Sequence, residues 1–255
     1  MAQQTKTRLI IGCVVAVIVL IICSVLGYVL FRSFFLGSGV VKQESRDVSG
    51  YTKIRLDTNG DIQLEQGSIE GLTVEAEDNV LPRLKSEVKD GTLVLSLANA
   101  FPGMIYPTKP VVFKVRVKDL SDITINGSGS VKTTRLQASS LNLDIIGSGK
   151  VNMDVFVDRI NSTINGNGDL TISGNSNSQT ITINGSGKYV SDEMRGKDCN
   201  STINGSGEII LNCRNSLDIT INGTGSVSYY GSPTIGNQQI SGNGTVKNLG
   251  DAKRN

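Results

Sequence analysis

The N-terminal part of the chain is a continuous apolar run. Leu9 to Phe31 is 23 residues without a charge, bounded by Lys6 and Arg8 before it and Arg32 after it. At 1.5 Å per residue such a run reaches about 35 Å, enough to cross a hydrocarbon core of about 30 Å. The pattern therefore predicts one transmembrane helix over residues 9–31, with membrane lipid as its partner.

Two other interpretations of this run fit the sequence less well. A cleaved signal peptide has an apolar region of about 7 to 15 residues and an A-x-A-like site, which is not found near Gly27. The tetrapeptide of residues 10–13, IIGC, loosely resembles a lipoprotein processing site, but almost no apolar segment precedes it. We expect the helix to stay in place as an anchor.

The flanking basic residues indicate orientation only weakly, because they stand on both sides of the apolar run. Cys199 and Cys213 in the remaining chain suit an oxidising exterior. We therefore expect a single-pass protein of the cell membrane, with residues 1–8 as a cytoplasmic tail and the C-terminal domain outside the cell.

Residues 121–248 are variants of one short string with the core I-N-G-S-G. The steps between the first glycines of successive copies are 20, 19, 19, 20, 18 and 19 residues. A fixed period of this length predicts a solenoid. These glycines are Gly127, Gly147, Gly166, Gly185, Gly205, Gly223 and Gly242.

Apolar positions recur at fixed distances from the first glycine of each copy. Ile always stands two residues before it, as at Ile125 and Ile164, and an apolar residue or Tyr189 stands four residues after it. Between these positions apolar and polar residues alternate, which is typical of strands, and G-x-G suits a tight turn. Each repeat is predicted to be strand, turn, strand, with coils stacked about 4.8 Å apart around a buried apolar ribbon.

Polar positions of the repeat would stack into ladders. Rows of Thr and Asn stabilise coils through side-chain hydrogen bonds and turn chemistry, and they also form a flat surface of hydroxyl and amide groups that suits a carbohydrate. Ordered water is a further ligand of such a surface. The candidate ligand-binding residues are Thr124, Asn126, Thr163, Asn165, Thr182, Asn184, Thr202, Asn204, Thr220 and Asn222.

Charged residues also fall in one row, as Lys150, Asp169, Lys188 and Glu208. We interpret them as register-setting pairs, because opposite charges on successive coils favour correct stacking. A glycosidase pair of Asp169 and Glu208 is rejected, since the lysine between them would keep both ionised. A calcium repeat is rejected as well, because only one coil has Asp at the required place. We predict no catalytic residue, no metal and no cofactor.

Cys199 and Cys213 lie six residues before and eight residues after Gly205, so folding the coil places them opposite each other. We predict a disulfide between inward-facing side chains. Two buried free thiols are the alternative if the facing strands stand too far apart.

The residues before the repeats carry less regular β signals. Residues 32–45 are predicted to be a linker, residues 46–120 an N-terminal β cap with the first coils, and residues 249–255 a C-terminal tail. The cap would cover the first open edge of the solenoid. Its expected strands are Lys53 to Asp57, Asp61 to Glu65, Leu72 to Glu75, Thr92 to Leu97 and Val111 to Val117.

Composition removes several classes of function. The chain has no His, which excludes Ser/His and Cys/His catalysis and histidine metal sites. Its net charge is +2 without a basic run beside aromatics, so nucleic acid is not expected as a partner. Aromatic residues make up 5%, too few for a conventional large pocketed enzyme.

The repeated I-N-G-S-G, the opening VSGYTKIRLDTNGDIQLEQG from Val48, and the closing YYGSPTI with ISGNGTV resemble the GIN-domain family of autotransporter adhesin heads. The resemblance covers about residues 46–248. It implies an all-β, right-handed parallel β-helix, shaped like pectin-lyase folds but without their catalytic residues, and a role in adhesion at bacterial surfaces. After Val246 the sequence continues only as KNLGDAKRN, so we expect the N-terminal helix to be the anchor.

These observations predict a non-enzymatic, membrane-anchored adhesin that binds extracellular polysaccharide or a cell-surface protein. The alternative is a structural or regulatory envelope module that contacts another membrane protein or forms homo-oligomers. The cap, or the open end near Val246, would make that contact.

Overall fold

The computed structural model describes residues 14–28, 36–98 and 105–251. Residues 14–28 form helix α1, and all of them are exposed. The predicted membrane segment extends beyond this helix at both ends, where residues 9–13 and 29–31 lie outside the described part. Among the described residues no helix is long and apolar enough to span a membrane.

The repeats form a β-solenoid of about seven turns. Its long strands each run from one G-x-G to the next and pair in parallel, in register, with their neighbours. The G-x-G segments are thus corners of a coil, and the strands on either side of a corner pair with the adjacent coils. The five long strands are β9 Ser130–Gly147, β10 Lys150–Gly166, β11 Asp169–Gly185, β12 Lys188–Gly205 and β13 Glu208–Gly223, and the shorter strands of the solenoid are β8 Asp122–Gly127, β14 Ser226–Tyr230, β15 Thr234–Gly242 and β16 Thr245–Asn248.

The N-terminal part combines first coils with a cap. The strands β2 and β3 continue the solenoid, since they pair in parallel with β8 and β9. The strands β1, β4 and β5 add antiparallel pairs that cover the first edge. The bounds are β1 Val41–Arg46, β2 Lys53–Asp57, β3 Asp61–Gln66, β4 Gly71–Glu77, a 3-10 turn at Leu81–Arg83, β5 Leu84–Lys89, β6 Thr92–Leu97 and β7 Val112–Val117.

The end of the predicted linker is instead a strand. β1 begins at Val41 and pairs antiparallel with β4, so ordered β structure starts before residue 46. Its sequence, VKQESR, is polar and its residues are almost all exposed, because it lies at the edge of the sheet. A strand shows an alternating apolar pattern only when one of its faces is buried. Neither face of β1 is buried, so its sequence does not predict a strand.

A single apolar core runs through the coils. The Ile positions before the first glycine are fully buried at Ile125, Ile164 and Ile203, and the position four after it is buried from Val131 to Val227. Ile240 in the last coil is 38% exposed, because no further coil covers it. The predicted columns of buried apolar residues are therefore confirmed for the interior coils. They end at the last coil, where Ile240 is partly exposed.

The two glycines of each corner have different roles. Gly185 has a φ of +135°, a conformation that L side chains rarely adopt. The second glycine, Gly187, has no room for a side chain, since a Cβ there would lie 2.5 Å from Cγ2 of Ile164. Close stacking of coils thus depends on both.

Candidate functional site: the Thr/Asn face

The candidate ligand-binding residues share one side of the solenoid, which we call the Thr/Asn face. Parallel register places Thr163, Thr182, Thr202 and Thr220 in one column, with Asp144 and Thr124 continuing it. A second column contains Asn165, Asn184, Asn204 and Asn222. The Thr side chains are half-buried, and these four Asn residues are exposed.

The Asn side chains form a chain of hydrogen bonds along the solenoid. Nδ2 of Asn184 donates to Oδ1 of Asn165 at 2.8 Å, and Asn204 and Asn222 repeat the contact at 2.8 and 2.9 Å. Each amide inside the row thereby uses one N–H and one acceptor position on its neighbours. One N–H and one lone pair per residue remain for a ligand.

The face is not uniform at its N-terminal end. Asn126 donates to Asp57, and Ile146, 50% exposed, separates it from Asn165 in the column. Burial raises the pKa of Asp144, a hydrogen bond with Thr163 opposes the shift, and the charge of Asp122 adds to it. The regular part of the Thr/Asn face therefore runs from β10 to β13.

The row of alternating charges lies beside a corner of the coils. Nζ of Lys150 is 3.6 Å from Oδ2 of Asp169, and Nζ of Lys188 is 2.7 Å from Oε2 of Glu208. Both acids are thus ion-paired and partly solvent-accessible, as expected for residues that set register.

Cys199 and Cys213 are joined in a disulfide, with their Cα atoms 6.3 Å apart. Both side chains are buried. Beside them lies a buried polar group that the sequence analysis did not identify: Oε1 of Gln179 accepts from the Tyr189 hydroxyl at 3.2 Å and the Ser191 hydroxyl at 3.1 Å. Burial raises the pKa of Tyr189 to about 12.

A second surface site was also missed. A groove of about 730 Å³, which we call the corner groove, crosses β9 to β13. It lies at the bend of the coil that is about halfway along the chain between one G-x-G turn and the next. Its polar and aromatic lining includes Gln137, Phe156, Asn175, Arg195, Lys197 and Arg214.

The reason for this omission is the irregular spacing of the repeat. Register shifts occur between Met153 and Val155, between Thr171 and Gly174, and between Ser191 and Gly196. The variation of the period between 18 and 20 residues is accommodated near this corner, so positions counted from the glycines no longer align there. The sequence did contain one signal for this groove, namely the basic residues Arg195, Lys197 and Arg214, which lie between copies of the repeat.

Residues 50–233 match the family model described as "Putative auto-transporter adhesin, head GIN domain". The chain belongs to the GIN-domain family. No curated protein matches the sequence.

Several solved structures share the fold. A "putative adhesin" from Bacteroides fragilis is 26% identical with a TM-score of 0.79, covering 84% of this chain and 100% of its own. A "putative lipid binding protein" from Parabacteroides distasonis is 23% identical, with a TM-score of 0.71 and coverage of 84% and 99%. A "putative adhesin" from Parabacteroides merdae is 20% identical, with a TM-score of 0.64 and coverage of 84% and 98%. The two structures below 25% identity support the fold alone.

Proposed function

We propose that this GIN-domain protein is a non-enzymatic adhesin, anchored in the cell membrane by residues 9–31, that binds extracellular polysaccharide through its Thr/Asn face. The observation that carries the proposal is the in-register column of Asn amides over β10 to β13, with a Thr column beside it. The description of the family as an adhesin head supports it.

A repeating surface suits a repeating ligand. Each exposed amide offers one N–H and one acceptor position, and a single hydrogen bond of this kind contributes only about 0.5–1.5 kcal/mol net. A polymer that contacts several coils at once combines the free energies of these hydrogen bonds. After the first sugar unit has bound, the next units are held close to the following coils, so their contacts form within one complex. The proposal therefore requires a polysaccharide chain, and predicts weak binding of its single sugar units.

The experiment is binding of the full-length chain, in detergent micelles, to a panel of immobilised cell-wall polysaccharides. In the test variant Thr124, Thr182 and Thr220 are changed to Lys, which places long charged side chains across the face. In the matched control Thr52, Thr171 and Thr245, which are exposed and not in the Thr column, are changed to Lys. We expect saturable binding by wild type and control and its loss in the test variant. Equal binding by all three proteins would refute the assigned face.

The second candidate is a structural envelope module that self-associates. It is favoured by the open C-terminal edge: β15 is exposed along its whole length, Ile235 and Ile240 are 37% and 38% exposed, and residues 234–246 carry no charge. Charges are the usual protection of such an edge. Crosslinking in intact membranes would give a homodimer that Ile235→Lys/Ile240→Lys removes. The matched change Ile69→Lys/Ile146→Lys, at exposed residues elsewhere, would retain it.

A further inference from the structure

The corner groove has an ordered column of its own, separate from the Thr/Asn face. Register places Gln137, Phe156, Asn175 and Arg195 on successive strands at the same position of the coil. At about 4.8 Å per strand, the groove from β9 to β13 extends about 19 Å along the solenoid. Its long axis follows the stacking direction, so it can hold an extended chain.

Charge is unevenly distributed along the groove. The end at β12 and β13 carries Arg195, Lys197 and Arg214, whereas the acids of the lining, Asp119 and Asp158, belong to earlier parts of the chain. Asp158 accepts a hydrogen bond of 3.0 Å from Nδ2 of Asn177. The cationic end therefore offers Lys197 and Arg214 to an anionic ligand group, whereas Asp154 and Glu193 line the adjoining surface together with Arg195.

An aromatic ring lies on β10, the second of the five strands that the groove crosses. Phe156 is half-buried and its ring carries the guanidinium of Arg135 at 4.8 Å from the centroid. This contact is a cation–π interaction that holds the ring in place. Phe156 also lines the groove, so the part of its ring that Arg135 does not cover offers an apolar surface for the C–H face of a sugar.

We propose that the corner groove binds an acidic polysaccharide, with its anionic groups at Lys197 and Arg214 and a sugar ring against Phe156. Arg forms paired hydrogen bonds with carboxylate or phosphate, and Lys supplies a point charge. Asn175 and Gln137, in the same column, supply amide donors and acceptors for hydroxyl groups. This inference rests on the proposed function and names the ligand class and a second contact surface.

The lining favours a polysaccharide over an anionic membrane. Among the described residues, none of the large exposed apolar side chains lies in the groove. Binding to a lipid surface uses apolar side chains that insert between headgroups, together with cations. The corner groove offers only the cations.

The test measures binding of the full-length chain in detergent micelles to polygalacturonate, which carries carboxylates, to poly(glycerol phosphate), which carries phosphates, and to neutral dextran. The groove variant is Lys197→Ala/Arg214→Ala, with Phe156→Ala as a second variant. The matched control is Lys53→Ala/Lys247→Ala, which removes two positive charges from exposed positions outside the groove. Vesicles of phosphatidylglycerol test the membrane as a ligand.

We expect binding to at least one acidic polymer that weakens as salt is raised, because exposed charges are screened. The groove variant should lower the affinity about tenfold or more, and the control less than about twofold. Phe156→Ala should weaken binding without changing its salt dependence. Whichever acidic polymer binds identifies carboxylate or phosphate as the anionic group.

Three results would overturn the inference. Equal loss in the groove variant and the control would indicate a general effect of net charge. Binding to neutral polysaccharides such as dextran alone, unchanged in the groove variant, would refute the corner groove as a binding site for acidic polysaccharide. The proposed function would stand. Binding to vesicles alone, or to no polysaccharide, would refute both the role of the corner groove and the proposed function.

Discussion

The second glycine of each corner determines how closely two coils can stack. A Cβ at Gly187 would lie 2.5 Å from Cγ2 of Ile164 and 2.9 Å from the carbonyl oxygen of Gly168. The first contact is with a core side chain and the second with backbone, so neither can move without disturbing the neighbouring coil. This constraint explains why G-x-G recurs when the residue between the glycines varies.

We therefore predict that Gly187→Ala lowers the free energy of unfolding by about 1–3 kcal/mol, the usual range for overpacking. The matched control is Gly67→Ala, where a Cβ would have nothing within 4 Å. That change should stay within about 0.5 kcal/mol. Denaturant unfolding followed by circular dichroism measures both. Similar values for the two variants would refute the stacking argument.

The disulfide is the second residue-scale feature with a measurable contribution. Cys199 and Cys213 are 14 residues apart, and closing a loop of this size contributes about 3 kcal/mol in the chain-entropy model. Cys199→Ala/Cys213→Ala should lower the free energy of unfolding by about that amount. Reductant should destabilise the wild type and leave the variant unchanged. A reductant effect on the variant would contradict the assignment.

Inward positions near this disulfide show what a repeat pattern leaves out. The pairing of the two cysteines follows from their distances to Gly205, since each coil repeats the same inward positions. Gln179 occupies the place of Leu141 and Ile160 in other coils, and its role depends on Tyr189 and Ser191 ten and twelve residues later. Period alone contains no information on such a contact.

At the scale of elements, the cap depends on one buried carboxylate at the end of β4. Oε1 of Glu77 accepts from the Gly39 amide at 2.7 Å, and Oε2 accepts from the Thr108 amide at 2.8 Å. The Thr108 hydroxyl and the Lys109 amide add further hydrogen bonds. Burial acts to raise the pKa of Glu77, but these hydrogen bonds together outweigh it, and the pKa lies below its ordinary value of 4.5.

The sign of the pH dependence follows from this lowered pKa. The carboxylate stabilises the fold fully above about pH 4.5, and its contribution is lost as the pH falls through the folded-state pKa. Glu77→Gln should cost about 1–3 kcal/mol at pH 7 and flatten the loss of stability in acid. Glu65→Gln, at an exposed strand position, is the control. Denaturant unfolding at pH 7 and pH 3 measures the free energy of unfolding of the three proteins. If the Glu77 variant lost as much stability between pH 7 and pH 3 as the wild type, the role of the Glu77 carboxylate would be refuted.

The strands of the cap also show how far alternation predicts elements. The five expected runs correspond to β2, β3, β4, β6 and β7, all of which bury one face. The strands β1 and β5 were missed, because as edge strands they are polar on most positions. Pairing with β4 and β6 defines them, and such long-range pairing leaves no local pattern.

At the scale of the whole molecule, the solenoid carries two different surfaces, the Thr/Asn face and the corner groove. The Thr/Asn face could be located from the repeat, because identical residues at one phase must stack in a parallel coil. The corner groove could not, because Phe156 and Arg195 share a column only through the register shift between β11 and β12. The two surfaces together suit a polymer that contacts several coils.

The most direct test of the account is adhesion of intact cells that produce the full-length chain to surfaces coated with the polysaccharide it binds. Surface labelling of the C-terminal domain on the same cells gives the amount displayed. We expect intact cells to be labelled, and we expect their adhesion to be lost when Thr124, Thr182 and Thr220 are changed to Lys at equal display. Absence of surface labelling, or equal adhesion by cells displaying wild type and variant, would contradict it.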